Sequence, residues 1–253
     1  VYPNVANIEN PAEIGTKWYS WPSPPDPNFK PFGIAIAADQ TAWIADSNAD
    51  SSRIIHLQFT GSAIEEISQT SIGMVLKGIV IDSKKNIWAA SGDDNYVYRF
   101  DENGTHHGSY NGGGMHGPWG LCLDGDDNIW VANFGSLLPG EFEGRLTQLA
   151  GTKQTAVAPG TALTPGSGYT LPTAGDPVLL ANGEPLYGIG RESKIPMMRT
   201  TGVSVDAAGN VWTVNNWKPD FLFDTGDPSK DIPGNPGGDG LLLWIGIAKP
   251  VKY

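Results

Sequence analysis

Gly120-Leu-Cys-Leu-Asp124-Gly-Asp-Asp-Asn128-Ile-Trp130 is the stretch whose reading decides the fold. Three other segments align with it without gaps: Gly33-Ile-Ala-Ile-Ala-Ala-Asp39-Gln-Thr-Ala-Trp43, Gly78-Ile-Val-Ile-Asp82-Ser-Lys-Lys-Asn86-Ile-Trp88 and Gly202-Val-Ser-Val-Asp206-Ala-Ala-Gly-Asn210-Val-Trp212. In every copy Gly and Trp stand ten residues apart. Three copies also place Asp four after the Gly and Asn two before the Trp, whereas the first carries Ala37 and Thr41 there. Apolar residues at alternate positions after the Gly describe a short strand with one face buried. Asp and Asn side chains satisfy nearby backbone donors and tolerate left-handed dihedrals, so Asp-x-x-x-Asn reads as a tight turn. The apolar-Trp pair begins the antiparallel return strand, and a recurring indole suits packing between neighbouring sheets.

The copies begin at residues 33, 78, 120 and 202, giving spacings of 45, 42 and 82. The first two match the roughly 40–45 residues of a four-stranded propeller blade. Arg53–Phe59 and Tyr96–Phe100 read as third strands, and Phe100-Asp-Glu-Asn-Gly104 as the turn into a fourth. The expected fold is therefore all-β: a single β-propeller domain over residues 1–253, built of four-stranded antiparallel blades. Four blades are clear, in a ring of four, five or six or in a piece of a longer propeller. The 82-residue interval reads as one blade with insertions near 134–144 and 169–198, with a degenerate fifth blade as the alternative; a third insertion falls near 216–239. Lys17–Pro22 resembles an outer strand, and pairing it with Leu241–Ile247 would close the ring.

Composition agrees with this reading. Hydrophobic residues are 40% and charged residues 17% of the 253, with 33 Gly, 20 Pro and 9 Trp, a mixture that favours turns and short strands over amphipathic helices. The net charge of −11 repels phosphate backbones, which argues against nucleic-acid binding. The longest apolar run, Leu241–Ala248, has the length of a strand rather than of a membrane span. Cys122, the single cysteine, sits in an apolar stretch and reads as a small buried hydrophobe.

The pattern Gly-φ-x-φ-Asp-x-x-x-Asn-φ-Trp-φ-Ala-Asn (φ, apolar), clearest at Gly120–Asn133, resembles the NHL-repeat propellers, and more narrowly the bacterial streptogramin (virginiamycin B) lyase-like group. Thr164–Thr170 and Asn235–Gly240 are similar to segments of secreted members. The resemblance covers roughly residues 17 to 253. It implies a propeller located outside the cell, in the periplasm or on the cell surface, and for the lyases a magnesium-dependent His and Glu site that opens a lactone by elimination. This chain's histidines, His56, His106, His107 and His116, form no His-x-Glu or Glu-x-His constellation, so no catalytic residue is carried over.

In such a ring, residues just before each Gly and just after each Trp strand gather at one channel mouth. Asp46, Ser91, Asn133 and Asn215 hold equivalent places there, either as oxygen ligands or as caps of their own loops. His116, Trp119, Asn133, Asn215, Asn216 and Trp217 form the expected ligand-binding set. Asp46, Asn48 and Asp50 have the alternating oxygen spacing of a cation loop, which makes Ca²⁺ or Mg²⁺ the candidate cofactor, or else form a polar turn. The expected role is recognition of a small molecule, a glycan or a protein without covalent chemistry. The alternatives are a metal-dependent lyase or lactonase and a structural subunit that self-assembles through open sheet edges.

Overall fold

The computed structural model describes residues 28–135, 144–170, 199–215 and 241–251. Among these residues all regular structure is β-strand, arranged as four antiparallel sheets. The first blade contains β1 (Pro31–Ile36), β2 (Ala42–Asp46), β3 (Arg53–Phe59) and β4 (Ile64–Ser71), side by side in chain order. The second repeats the plan with β5 (Leu76–Ile81), β6 (Ile87–Ser91), β7 (Tyr96–Phe100) and β8 (His106–Tyr110). The third contains β9 (Pro118–Leu123), β10 (Ile129–Asn133) and β11 (Arg145–Leu149), and the fourth β12 (Thr200–Val205), β13 (Val211–Asn215) and β14 (Leu241–Trp244). This is the β-propeller that the hairpin repeat implies.

The wide interval holds one blade among the described residues. Leu146 bridges Tyr169 and Leu149 bridges Ala162, so the chain after β11 lies along the outer edge of that sheet. A fifth blade within 171–198 would fall outside the described residues, as do Lys17–Pro22 and its pairing. β14 is shorter than the Leu241–Ile247 expected and serves as the third strand of the fourth blade, with Trp244 opposite Val211 and Leu241 opposite Val214.

Each hairpin turn has the same backbone. In the second copy Asp82 N–H donates to Asn86 O at 2.9 Å and Lys85 N–H to Asp82 O at 2.9 Å, and the other three copies repeat both bonds. The left-handed residue is neither the Asp nor the Asn of the motif but the one between them: Gln40, Lys85, Asp127 and Gly209, with φ of 68°, 64°, 60° and 82°. The side chains of Asp and Asn instead hold that turn shut. Asp124 Oδ1 accepts the N–H groups of Asp126 and Asn128 at 2.9 and 3.0 Å, and Oδ2 accepts Asn128 Nδ2 at 3.1 Å. Oδ2 also accepts the indole N–H of Trp130 at 3.1 Å, so turn and core are tied by one carboxylate. Asp82 with Trp88 and Asp206 with Trp212 repeat that bond at 3.0 Å each.

The indoles fill the spaces between blades. Trp43 packs with Leu76, Ile79 and Ile87 of the second blade, Trp88 with Ile129, Val131 and Leu149 of the third, and Trp130 with Val205 and Val211 of the fourth. Trp88 and Trp130 are completely buried; replacing either with Ala would remove about 3–5 kcal/mol of stability. Cys122 is only partly buried, against the Trp130 cluster, and burial pushes its thiol pKa upward.

The inner strands adjoin in the order β1, β5, β9, β12. Their approach is so close that the first glycine of each repeat meets backbone. A Cβ built on Gly33 would lie 2.3 Å from Lys77 O, one on Gly78 2.5 Å from Trp119 O, and one on Gly120 2.2 Å from Thr201 O. The partner is each time the residue preceding the next blade's own glycine. Gly202 meets no such carbonyl among the described residues; its nearest neighbour is the Val214 side chain. Gly120→Ala should therefore destabilise the protein by about 1–3 kcal/mol through overpacking. Gly202→Ala should cost less, about 1 kcal/mol, because only the exposed Val214 side chain 2.8 Å away has to shift and no backbone. Equilibrium urea unfolding checks both, and equal losses would contradict the blade-to-blade account.

Candidate functional site

The strand ends define two faces, and the structure treats them differently. At the mouth where β1, β5, β9 and β12 begin, the side chains of Asn133 and Ser91 are occupied by the fold. Asn133 is fully buried: its Oδ1 accepts His116 N–H at 2.9 Å, and its Nδ2 donates to Arg145 O at 3.0 Å and Thr147 Oγ1 at 3.1 Å. Ser91, also fully buried, donates to Asp93 Oδ1 at 2.9 Å. Asn215 ends β13 opposite Thr200. Asn216 and Trp217 lie outside the described residues. These positions act as loop caps wherever their side chains are described.

Asp46 and Asn48 close a polar turn. Asp46 Oδ1 accepts the N–H groups of Lys30 and Asn48 at 2.9 and 3.1 Å, while Oδ2 stands 3.4 Å from Arg53 Nε. Asn48 Oδ1 accepts Asp50 N–H at 3.2 Å and its amide donates to Ser51 Oγ at 2.7 Å. Asp50 is exposed. Among the described residues, no group of three or more His, Cys, Asp or Glu side chains is gathered closely enough to hold a metal ion.

Trp119 belongs to a ladder of rings and cations across this mouth. Its ring stacks on Phe134 at 4.6 Å and meets the edge of Phe32 at 5.4 Å. Lys77 Nζ lies against Phe32 and Trp119, 4.6 Å from the Phe32 centroid and 4.4 Å from that of Trp119, and donates to Ser47 Oγ at 2.7 Å. Desolvation lowers the Lys77 pKa, chiefly opposed by the Asp93 charge. Arg199, almost fully buried, continues the ladder with its guanidinium 5.1 Å from the Phe134 centroid. The ladder therefore joins all four blades.

The opposite face carries an open cavity of about 1060 Å³, framed by the hairpin turns of the first three blades and by Lys249, Pro250 and Val251. The one hairpin that departs from the repeat stands in its wall. Ala37 stands where the other copies have the carboxylate that holds the indole, so the bond from Asp to indole seen in those three turns is missing from this one. Asp39 and Thr41 build a different arrangement. Asp39 Oδ1 accepts Thr41 N–H at 3.1 Å and the Thr41 hydroxyl at 2.7 Å. The strand register sets His56 opposite Trp43, and the rings stack at 4.1 Å and 13°. His56 Nε2 lies 2.8 Å from Thr41 Oγ1. Thr41 has one hydroxyl proton, already given to Asp39, so His56 Nε2 must carry the proton in that bond. In the neutral ring this leaves Nδ1 as an acceptor.

The cations around this cavity stand beside carboxylates. Lys85 lies 2.6 Å from Glu102, Lys153 3.1 Å from Asp127 and Lys249 3.9 Å from Asp126. The first pair is exposed, and its hydrogen bond raises the Lys85 pKa. Asp39, Asp82 and Asp124 also line the wall and face no lysine at ion-pair distance among the described residues, so the wall offers hydrogen-bonding groups with an excess of negative charge.

His56, Thr41 and Trp43 were not among the residues that the channel-mouth argument selects. The signal for them lay in the first repeat, at Ala37 and Thr41. Their chemistry gives a pH test. Desolvation lowers the His56 pKa, and the Asp39 charge partly opposes it. On acidification the unfolded chain takes up this proton first. The stability contributed by neutral His56 is thus complete above the ordinary histidine range, near pH 6.5, and lost as the pH falls through the depressed folded value. Asp39→Asn removes the opposing charge, so the His56 pKa should fall further; histidine NMR titration measures it, and a rise would contradict this network.

No protein-family model matches the sequence, and no curated protein matches it either. Among solved structures the chain is similar to streptogramin B lyase, with 16% identity and a TM-score of 0.49 over 74% of this chain and 49% of that one. It is similar to virginiamycin B lyase from Staphylococcus aureus, with 17% identity and a TM-score of 0.49 over 77% of this chain and 51% of the lyase. A protein of unknown function from Bacteroides caccae has 14% identity and a TM-score of 0.49, over 89% of this chain and 67% of that one. The chain spans about half the length of the lyases it matches.

Proposed function

We propose that the chain is a non-covalent binding propeller of the cell envelope or the extracellular space, with its ligand in the cavity on the hairpin-turn face. The observation that carries this reading is the broken repeat. Three hairpins use Asp to hold an indole N–H; the first, in the cavity wall, lacks that bond and puts a hydrogen-bonded histidine beside its indole. A volume of about 1060 Å³ is at the upper end of pockets that take small organic ligands, roughly 300–1,000 Å³.

The ligand class follows from the groups on offer. Trp43 Nε1 asks for an acceptor oxygen and neutral His56 Nδ1 for a donor. Ser83 and Asn103 add polar partners from the second blade, and the neighbouring cations already face carboxylates. A neutral ligand rich in hydroxyl or amide groups fits this set better than an anionic one, which the excess of carboxylates in the wall would repel. Oligosaccharides and small cyclic peptides share that chemistry and are the two classes to test.

The test is a calorimetric titration with a panel of neutral oligosaccharides and cyclic peptides, repeated with Trp43→Phe. The substitution keeps the aromatic packing and removes the indole donor, so affinity for a bound panel member should fall about tenfold, the equivalent of roughly 1.4 kcal/mol. Binding unaffected by Trp43→Phe would place the ligand elsewhere and overturn this assignment.

A further inference from the structure

The loop from β8 to β9 opens on Asn111-Gly112, and we propose that Asn111 is a site of spontaneous deamidation in the folded protein. In this reaction the backbone nitrogen of the following residue attacks the side-chain amide. Glycine in that place has no side chain to obstruct the approach. A bond forms between Gly112 N and Asn111 Cγ, and the bond from Cγ to Nδ2 breaks. The Gly112 N–H proton passes to a solvent base, and Nδ2 leaves as ammonia. Water then opens the cyclic imide at either carbonyl. Opening at Cγ gives aspartate. Opening at the backbone carbonyl gives isoaspartate, whose main chain runs through Cβ and Cγ.

Two Asn-Gly pairs lie among the described residues, and the fold treats them in opposite ways. At Asn103-Gly104 the nucleophile is withheld. Gly104 is buried, and its N–H donates to Asp101 O at 2.9 Å. The Thr70 hydroxyl donates to Gly104 O at 2.9 Å and so fixes the same residue from the first blade. Attack there requires the turn to open first. At Asn111-Gly112 both residues are exposed. Gly112 O accepts Met115 N–H at 3.1 Å, but the Gly112 N–H donates to no backbone carbonyl in a turn or loop among the described residues. The turn therefore engages the carbonyl and leaves the reacting nitrogen to water.

The isoaspartyl product has a structural consequence, because the next two residues have little room to shift. A Cβ on Gly113 would lie 2.4 Å from Thr164 Oγ1, and one on Gly114 2.3 Å from Gly168 N. Gly113 O also accepts the hydroxyls of Thr147 and Thr164 at 2.8 and 3.0 Å. One extra backbone carbon at residue 111 pushes this segment against β11 and the chain that lies along it. Farther on, Met115 packs beside Trp88, and His116 N–H holds Asn133. Plain aspartate adds the charge without lengthening the backbone.

Peptide mapping by mass spectrometry, on the full chain kept folded at mildly alkaline pH, tests the site. Asn111 should deamidate about tenfold faster than Asn103, because only Asn103 must first break the hydrogen bond that holds its glycine. In concentrated urea the two should react at similar rates. Asn182-Gly183 lies outside the described residues, and the map resolves it separately. An isoaspartyl methyltransferase should label the aged parent at residue 111, and Asn111→Gln should lose that label. The isoaspartyl form, separated by chromatography, should unfold at a lower urea concentration than Asn111→Asp. An Asn111 that stays intact in the folded chain, or reacts no faster than Asn103, overturns the assignment. An isoaspartyl form as stable as Asn111→Asp overturns the packing consequence.

Discussion

Backbone crowding at the centre of the arc is the constraint from which the rest follows. Inner strands pass so close that a single methyl group on Gly33, Gly78 or Gly120 would enter a carbonyl of the next blade. Glycine at the start of the first three repeats is thus a packing requirement between blades and not a turn requirement within one. Once the inner strands are that near, the sheets splay outward, and the space between them widens with distance from the centre. An indole is the side chain large enough to fill it, so Gly and Trp recur ten residues apart as two halves of one solution.

The indole brings a polar N–H into a dry core, and the turn supplies its acceptor. Asp82, Asp124 and Asp206 each spend one oxygen on turn N–H groups and the other on Asn and Trp. For Asp206 these bonds, led by that from Trp212, hold the carboxyl well below the usual range. Its contribution to stability is present above the ordinary carboxylate pKa and is lost as the pH falls through the depressed folded value. The hairpin, the interblade core and the acid sensitivity of the fold are therefore one network seen at three scales.

Most of this architecture was legible because its period is short and its chemistry local. Gly, Asp, Asn and Trp stand within eleven residues, and each copy repeats the lesson of the others; the third strands at Arg53 and Tyr96 followed from spacing and composition alone. The tie from Asp to the indole was not legible, since alternation and turn propensity say nothing of where a carboxylate's second oxygen points. The site was less visible still. Asn133 and Asp46 lie at equivalent places around one mouth, but equivalence by repeat is what structural caps share as well, and the structure shows Asn133 and Oδ1 of Asp46 bonded to the fold, with Oδ2 of Asp46 beside Arg53. His56 meets Thr41 only through pairing of β2 with β3, a relation between residues fifteen apart that no local motif encodes.

A repeat protein can vary one turn without losing what holds it together, and the first blade illustrates how. Its turn keeps the backbone hydrogen bonds of the other three, Ala37 N–H to Thr41 O at 2.8 Å and Gln40 N–H to Ala37 O at 2.9 Å, with Gln40 left-handed like its counterparts. Trp43 remains 2% exposed because the second blade covers it from the side. The conformation that three hairpins secure with a carboxylate is thus maintained here by backbone and packing. That redundancy lets Asp39, Thr41 and His56 form a hydrogen-bond network of their own in the cavity wall. A change of the same kind at Asp124 would be far more costly: that carboxylate is buried, accepts Gln148 at 3.3 Å as well as its turn and its indole, and sits in a blade packed on both sides. The place where the repeat is broken is accordingly one where breaking it leaves the fold's central contacts untouched.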